Sequence, residues 1–326
     1  MSLSSHLLAK NSPVRKFIAD HYPNTRALAV PDPHASPHEL KVPGRDAVVV
    51  QPLLRADAGV AKILPADAER YPWATVGTAV DYRLRYCLEA APVRTLVAHY
   101  GAHKLSMLLT GRREAPVAFQ ELARALGDVV PEGARTGDLL SMDAEDRLAR
   151  LCYVLALYEQ CYRAPMMRDW PVVRLGDHAS LKDLLALCED RVALDIQALS
   201  ARFLVGGREL MDAGNLALNP TFGGSVPLGG ADADFVCDGC LIDIKTTKDT
   251  KPRRPEFWQL VGYTLADWDD CFRLVEVGLY YSRQGVILRW PVEEFLNALA
   301  GRPVDLACQR AEFREVLTAC GERGGA

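Results

Sequence analysis

The chain predicts an α/β fold behind a mostly helical first half, on three observations. Helical periodicity dominates up to Gly206. Beyond it, short apolar runs appear, divided by Gly, Pro and Asn. Their order reads helix, three strands, helix, two strands, which makes a core of about 120 residues. With 326 residues, 49% of them apolar, the chain can bury a sizeable core as one large domain or two ordinary ones.

Taken in order, residues 1–70 hold a helix from Leu7 to Tyr22 and the proline-punctuated stretch VPDPHASPHELKVPG, which reads as irregular or edge-forming. Residues 71–205 are mainly helical. Val80, Leu84 and Leu88 or Cys87 mark one apolar face of a helix from Val76 to Leu88, and Gln120 to Leu126 is a short helix. Ser141 caps a long helix, SMDAEDRLARLCYVLALYEQCYRA, with acids in its first turns as the macrodipole prefers. Ser180 caps another, SLKDLLALCEDRVALDIQALSARFLV. Residues 206–302 carry the strands NLALNPTF, ADADFV and CLIDIKTT, the helix EFWQLVGYTLADW, the strands FRLVEVGLYYS and GVILRW joined by RQ, and the helix PVEEFLNALA. Residues 303–326 close the chain with a helix from Leu306 to Cys320 and a tail.

Composition narrows the function classes. No apolar run approaches the roughly 18 residues that span a bilayer, and the N-terminal text has no apolar leader core, so a cytoplasmic protein without membrane contact is expected. Nine cysteines, mostly inside helical apolar patterns, suit buried thiols in a reducing compartment. The net charge of −4 means that contact with nucleic acid requires a local basic patch.

The stretch GGADADFVCDGCLIDIKTT, Gly229 to Thr247, concentrates the chemistry. Asp238-Gly239 between two alternating runs is the strongest short hairpin signal, a two-residue type I′ turn. That turn sets Cys237 against Cys240, Val236 against Leu241, Phe235 against Ile242, Asp234 against Asp243 and Asp232 against Lys245. The four charged residues then share one face near the open end, while Ala233, Phe235, Ile242 and Ile244 point into a core. Directly opposed carboxylates repel. Two readings resolve this. A divalent cation sits between them, Mg²⁺ or Mn²⁺ given oxygen ligands, with the Ile244 carbonyl also turned toward it. Alternatively, Asp232 pairs with Lys245 on a solvated sheet face and no ion is needed. In the first reading Lys245 orients or deprotonates a water, or stabilises charge developing on a phosphate.

The pattern Asp234…Asp243-Ile244-Lys245, followed on the next helix by Gln259 and Tyr263 one turn apart, resembles the PD-(D/E)xK nuclease superfamily. It is most similar to the RecB-like branch, which includes CRISPR-adaptation nucleases. The likeness covers residues 206–290 and implies a restriction-endonuclease-like core, a mixed central sheet flanked by helices. It implies that Asp234 and Asp243 are metal ligands, that Lys245 is the catalytic lysine, and that Gln259 and Tyr263 support the site or touch DNA. Enzymes of this branch often begin with a G-x-x-x-H helix whose His is a ligand. Here Gly77 to Asp81 has the glycine and the helix, with Asp in place of His, so Asp81 is either a ligand or a solvated side chain. If a ligand, the nuclease fold starts near residue 70 and residues 90–179 are a helical insertion. Asp232 fits a G-x-x-D pattern from Gly229 and is an alternative ligand or a supporting residue.

Other constellations are weaker. KTTKDTKPRR supplies Lys248, Lys251, Arg253 and Arg254, a basic loop suited to phosphates if the site beside it is real. Cys237 and Cys240 flank a turn and have no second C-x-x-C, so neither zinc nor an iron–sulfur cluster is expected. His99 and His103 have metal-pair spacing but no third ligand. Glu189, Asp190 and Asp195 read as a solvated helix face, although an acid there can serve such a site. No phosphate-binding P-loop occurs, so an ATP motor such as a helicase, or another repair or defence protein, would act in trans.

The expectation is a divalent-metal-dependent endonuclease or exonuclease hydrolysing DNA phosphodiester bonds in repair, recombination or defence against foreign DNA. The alternatives are a catalytically silent nucleic-acid-binding or scaffolding module of the same fold, and a metal-dependent hydrolase of RNA or nucleotides.

Overall fold

The computed structural model describes residues 3–26, 63–65, 70–138, 140–176, 178–230, 233–249 and 252–323. Ten helices precede the sheet among them: α1 (Leu3–Leu8), α2 (Pro13–His21), α3 (Trp73–Leu88), α4 (Val97–Thr110), α5 (Val117–Val129), α6 (Met142–Arg163), α7 (Pro171–Leu175), α8 (Leu181–Leu185), α9 (Asp190–Gly206) and α10 (Arg208–Met211). Then follow β1 (Leu216–Leu218), β2 (Phe235–Cys237), β3 (Cys240–Lys245), α11 (Arg254–Ala266), β4 (Glu276–Tyr281), β5 (Val286–Pro291), α12 (Val292–Ala300) and α13 (Leu306–Arg323).

The fold is mixed α/β, a five-stranded mixed sheet flanked by helices. Its strands lie in sequence order. All neighbours are antiparallel except β3 and β4, which run parallel and are joined through α11. Strand alternation divides the buried side chains between two cores. Phe235, Cys237, Cys240, Ile242 and Tyr280 pack with the apolar faces of α3, α4, α5, α6 and α9. Val236, Leu241, Val277, Leu279, Tyr281 and Leu288 pack with α1, α2, α11, α12 and α13. The helix α11 is apolar on nearly every side because it is enclosed between the sheet and the terminal helices.

The hairpin has the expected register, with Cys237 against Cys240 and Phe235 against Ile242. Asp238 and Gly239 have φ of 47° and 79°, as a type I′ turn requires. The Asp238 carboxylate accepts the N–H groups of Gly214 (3.0 Å) and Asn215 (2.8 Å), which ties the turn to the segment leading into β1.

Several elements differ from expectation. The single helix expected from Leu7 to Tyr22 is two, because Pro13 starts α2 and cannot continue a preceding helix. The helix after Ser180 is also two. Ser180 and Asp183 form a capping box on α8, and Arg150 takes the Cys188 carbonyl at 2.6 Å in the break before α9. The helix α4 was not anticipated, and β4 begins at Glu276 rather than at Phe272. Four residues, Ser282 to Gly285, join β4 to β5, not the two of RQ. No helix among the described residues is long and apolar enough to cross a membrane.

Candidate functional site

Asp243 and Lys245 are alternate residues of β3, so they share the sheet face that α11 covers. Gln259 and Tyr263 stand one turn apart on α11 and face them. Lys245 donates to Gln259 Oε1 at 2.9 Å, and Gln259 Nε2 donates to the Tyr263 hydroxyl at 2.8 Å. These residues, with Asp81, Asp234 and Ile244, line one cleft of about 300 Å³. Gly77, one turn before Asp81 on α3, lies on its wall.

Asp234 arrives there by a route that register alone does not describe. The β2–β3 ladder ends at Phe235 and Ile242, and Asp234 stands in a bend just before β2. Its main-chain carbonyl accepts Asn219 N–H at 2.9 Å. Its carboxylate accepts the N–H of Ile244, the donor that a continued ladder would give to residue 233. Ala233 accordingly leaves the alternation and packs in the core on the α11 side, contrary to the expected common face with Phe235 and Ile242.

Burial sets the electrostatics. Burial raises the Asp243 carboxyl to about 7, opposed by Lys245 and aided by Asp234. Burial likewise works to raise Asp81, against the pull of Arg85, and raises Asp234. Burial works to lower Lys245, but the carboxylates of Asp243 and Asp234 outweigh it and hold the amine above its ordinary value. Lys245 is therefore an ammonium at neutral pH, able to donate and to stabilise negative charge. The ammonium touches Asp243 Oδ2 as an ion pair without hydrogen-bond alignment.

Three charged residues of the cleft were not anticipated: Arg85, Glu159 and Arg163. Arg85 forks onto Asp81, with Nε 2.9 Å from Oδ1 and Nη2 in contact with Oδ2. The same Nη2 lies 4.0 Å from Asp234 Oδ1, and the guanidinium sits 5.3 Å from the centre of the Tyr82 ring. Glu159, at the end of α6, accepts from the Tyr82 hydroxyl and from Arg163 Nε, each at 2.5 Å. Its sequence signal was a carboxylate inside the apolar run LCYVLALYEQCY, a polar group with no local reason to be buried.

Other candidates fall elsewhere. Asp232 and Lys251 lie outside the described residues. Lys248, Arg253 and Arg254 are exposed, as a phosphate-holding loop requires. Arg253 is engaged by Asp249 and Glu256, Arg254 bonds Thr25 and covers Trp258, and Lys248 lies over Trp73. Asp195 is not solvated, contrary to expectation: it is buried on Arg283 (2.7 Å) and Tyr71 (2.5 Å), which makes it structural. Glu189 and Asp190 pair with Arg191 and Arg150. His99 and His103 bond each other through Nε2 atoms 3.1 Å apart. Cys237 and Cys240 are free thiols pushed up to about 12 by burial, so they are inert.

The donors in the cleft suit a hard divalent cation: buried carboxylates, with neither His nor Cys among them. Asp234 and Asp243 are close enough for each to raise the other's energy when charged. Among the described residues no three His, Cys, Asp or Glu side chains are already grouped around one point; Arg85 holds Asp81 and Lys245 holds Asp243. Scans against known family models, curated proteins and solved structures each found no match to this chain.

Proposed function

We propose that the protein is a divalent-metal-dependent nuclease that hydrolyses DNA phosphodiester bonds, with a restriction-endonuclease-like core of the RecB-like kind. One observation carries the reading. The residues of the D…D-x-K pattern and the Q-x-x-x-Y helix, separated by 29 positions from Asp234 to Tyr263, meet in a single buried acidic cleft. Asp81, which the sequence left as either a ligand or a solvated side chain, lines the same cleft from α3.

Asp234 and Asp243 would hold Mg²⁺ or Mn²⁺. Such an ion, when bound, polarises a phosphate oxygen and makes water more acidic. The chain supplies the rest. Lys245, kept protonated by its carboxylate neighbours, offers a positive donor to an oxygen on which charge develops. Gln259 fixes that ammonium, and Tyr263 fixes Gln259. Arg163 and the exposed cations Lys248, Arg253 and Arg254 favour a polyanion approaching the cleft. Repair, recombination and defence against foreign DNA are all settings for such an enzyme, with a helicase or similar motor acting in trans.

A second reading, a silent binding module, is favoured by the same contacts. Asp81 and Asp243 each pair with a cation of the chain, Arg85 and Lys245, with which a divalent ion would have to compete. Purified protein with labelled single-stranded and duplex DNA, duplicate RNA substrates, and Mg²⁺ or Mn²⁺ separates the two. Cleavage that vanishes in Asp243→Ala and Lys245→Ala supports the nuclease. Binding without cleavage by wild type and variants alike assigns the silent module, and cleavage confined to RNA changes the substrate.

A further inference from the structure

Arg85 stands between two of the cleft's acids. It forks onto Asp81 and reaches to 4.0 Å from Asp234 Oδ1. It is buried, held on one side by the Tyr82 ring, whose hydroxyl is committed to Glu159. A guanidinium cannot be deprotonated in a protein, so this positive charge is permanent and tethered. Asp234 has the bridging position, with Oδ1 toward Arg85, Oδ2 on the Ile244 N–H, and Asp243 on the neighbouring strand. In sites that take two cations, the ions stand about 3.5–4 Å apart and share such a carboxylate.

We infer that Arg85 is a built-in second cation: the cleft takes one divalent ion, on the Asp234–Asp243 side, and Arg85 stands where a second would bind. Asp81 is then the anchor of Arg85 and not a ligand. This rests on the metal reading proposed above. It accounts for a carboxylate at position 81 on geometry alone. A carboxylate is the partner that a guanidinium fork needs.

Counting bound ions tests it without reference to catalysis. The full chain, stripped with a chelator, is titrated with Mn²⁺ by calorimetry and by the electron-spin signal of free Mn²⁺. Wild type is expected to bind one ion, Arg85→Ala two, and Arg85→Lys one. A folded Arg85→Ala protein that still binds one ion, or a wild type that binds two, overturns the inference while leaving the metal site intact. A wild type that binds none overturns the metal reading, and the inference with it. If Arg85→Ala is unfolded in chelator, Asp81→Asn decides. Retention of one ion, with affinity lowered less than about tenfold, the lower end of the loss on removing an outer support, agrees with an anchor. Loss of the ion makes Asp81 a ligand and overturns the inference.

Discussion

Gln259 Oε1 accepts a hydrogen bond from the Lys245 ammonium at 2.9 Å, joining the end of β3 to the middle of the helix that follows it. Lys245 otherwise rests on Asp243, so Gln259 decides where the ammonium points. Replacing Gln259 with Leu leaves a buried charged donor without its acceptor. Urea denaturation is expected to show a loss of about 1.5–3 kcal/mol, the range for hydrogen bonds to charged groups. Cleavage, if the proposed activity is present, should slow about 10–100-fold, as when the support of a site ligand is removed. Unchanged stability and rate would remove Gln259 from the site.

The raised carboxyls set a pH dependence. Burial raises the Asp243 carboxyl to about 7 in the fold, against 3.8 for a free carboxyl. The folded state therefore binds more protons than the unfolded chain between these values. That stabilisation is full below the unfolded pKa and is lost as pH rises toward and through about 7. In chelator, the melting temperature of Asp243→Asn minus that of wild type should grow from pH 5 to pH 8. A difference that shrinks over this range contradicts the burial-driven shift. Mn²⁺ should restore wild type more than the variant at the upper end.

The turn that sets the register depends on Gly239. Its φ is 79°, and a Cβ there would stand 3.0 Å from the Arg273 carbonyl oxygen and 3.2 Å from Val275 Cγ2. Gly239→Ala is expected to cost about 1–3 kcal/mol, the scale of a side chain held in an unfavourable backbone region. The denaturation midpoint should fall with an unchanged slope, and an unshifted midpoint refutes the strain.

Asp195 is fully committed to Arg283 and Tyr71 away from the cleft. Asp195→Ala strands the buried Arg283 charge, and a loss of about 3–5 kcal/mol is expected. Cleavage per folded molecule, measured well below the new melting temperature, should hold. A rate loss that exceeds the folded-fraction loss would give Asp195 a part in the site.

Lys248 is exposed beside the cleft-bearing strand, over Trp73. If it meets a phosphate of duplex DNA, Lys248→Ala should make the plot of log affinity against log salt shallower by about 0.9, one released counterion. An identical slope takes Lys248 out of the interface.

How much of this was legible differs between parts of the molecule. The hairpin was, because Asp238-Gly239 is a local signal and period-two alternation carries the register outward from it. The pairing of Gln259 with Tyr263 was, because a separation of four is one helical turn. The place of Asp234 was read correctly in outcome and incompletely in cause. Register set it against Asp243, while the fold ends the ladder and uses the carboxylate on Ile244 N–H. Helix breaks at Pro13 and before Asp190 were underread because amphipathic periodicity continues across them.

The sequence by itself determined the order of elements along the chain, the hairpin register and the placing of Gln259 and Tyr263 on one helical face, since local turn and helix geometry govern these; that the helix face meets Asp234, Asp243 and Lys245 was an expectation from the resemblance. Only the tertiary structure decided which distant charges enter the cleft. Asp81 and Arg85 come from α3, and Glu159 and Arg163 from α6, more than 70 residues before the strands they meet. Periodicity reports which face of a helix is buried; it does not report the partner that makes a buried charge tolerable. That partner is supplied by packing, and here packing turned Asp195 into a structural residue and set Arg85 between Asp81 and Asp234.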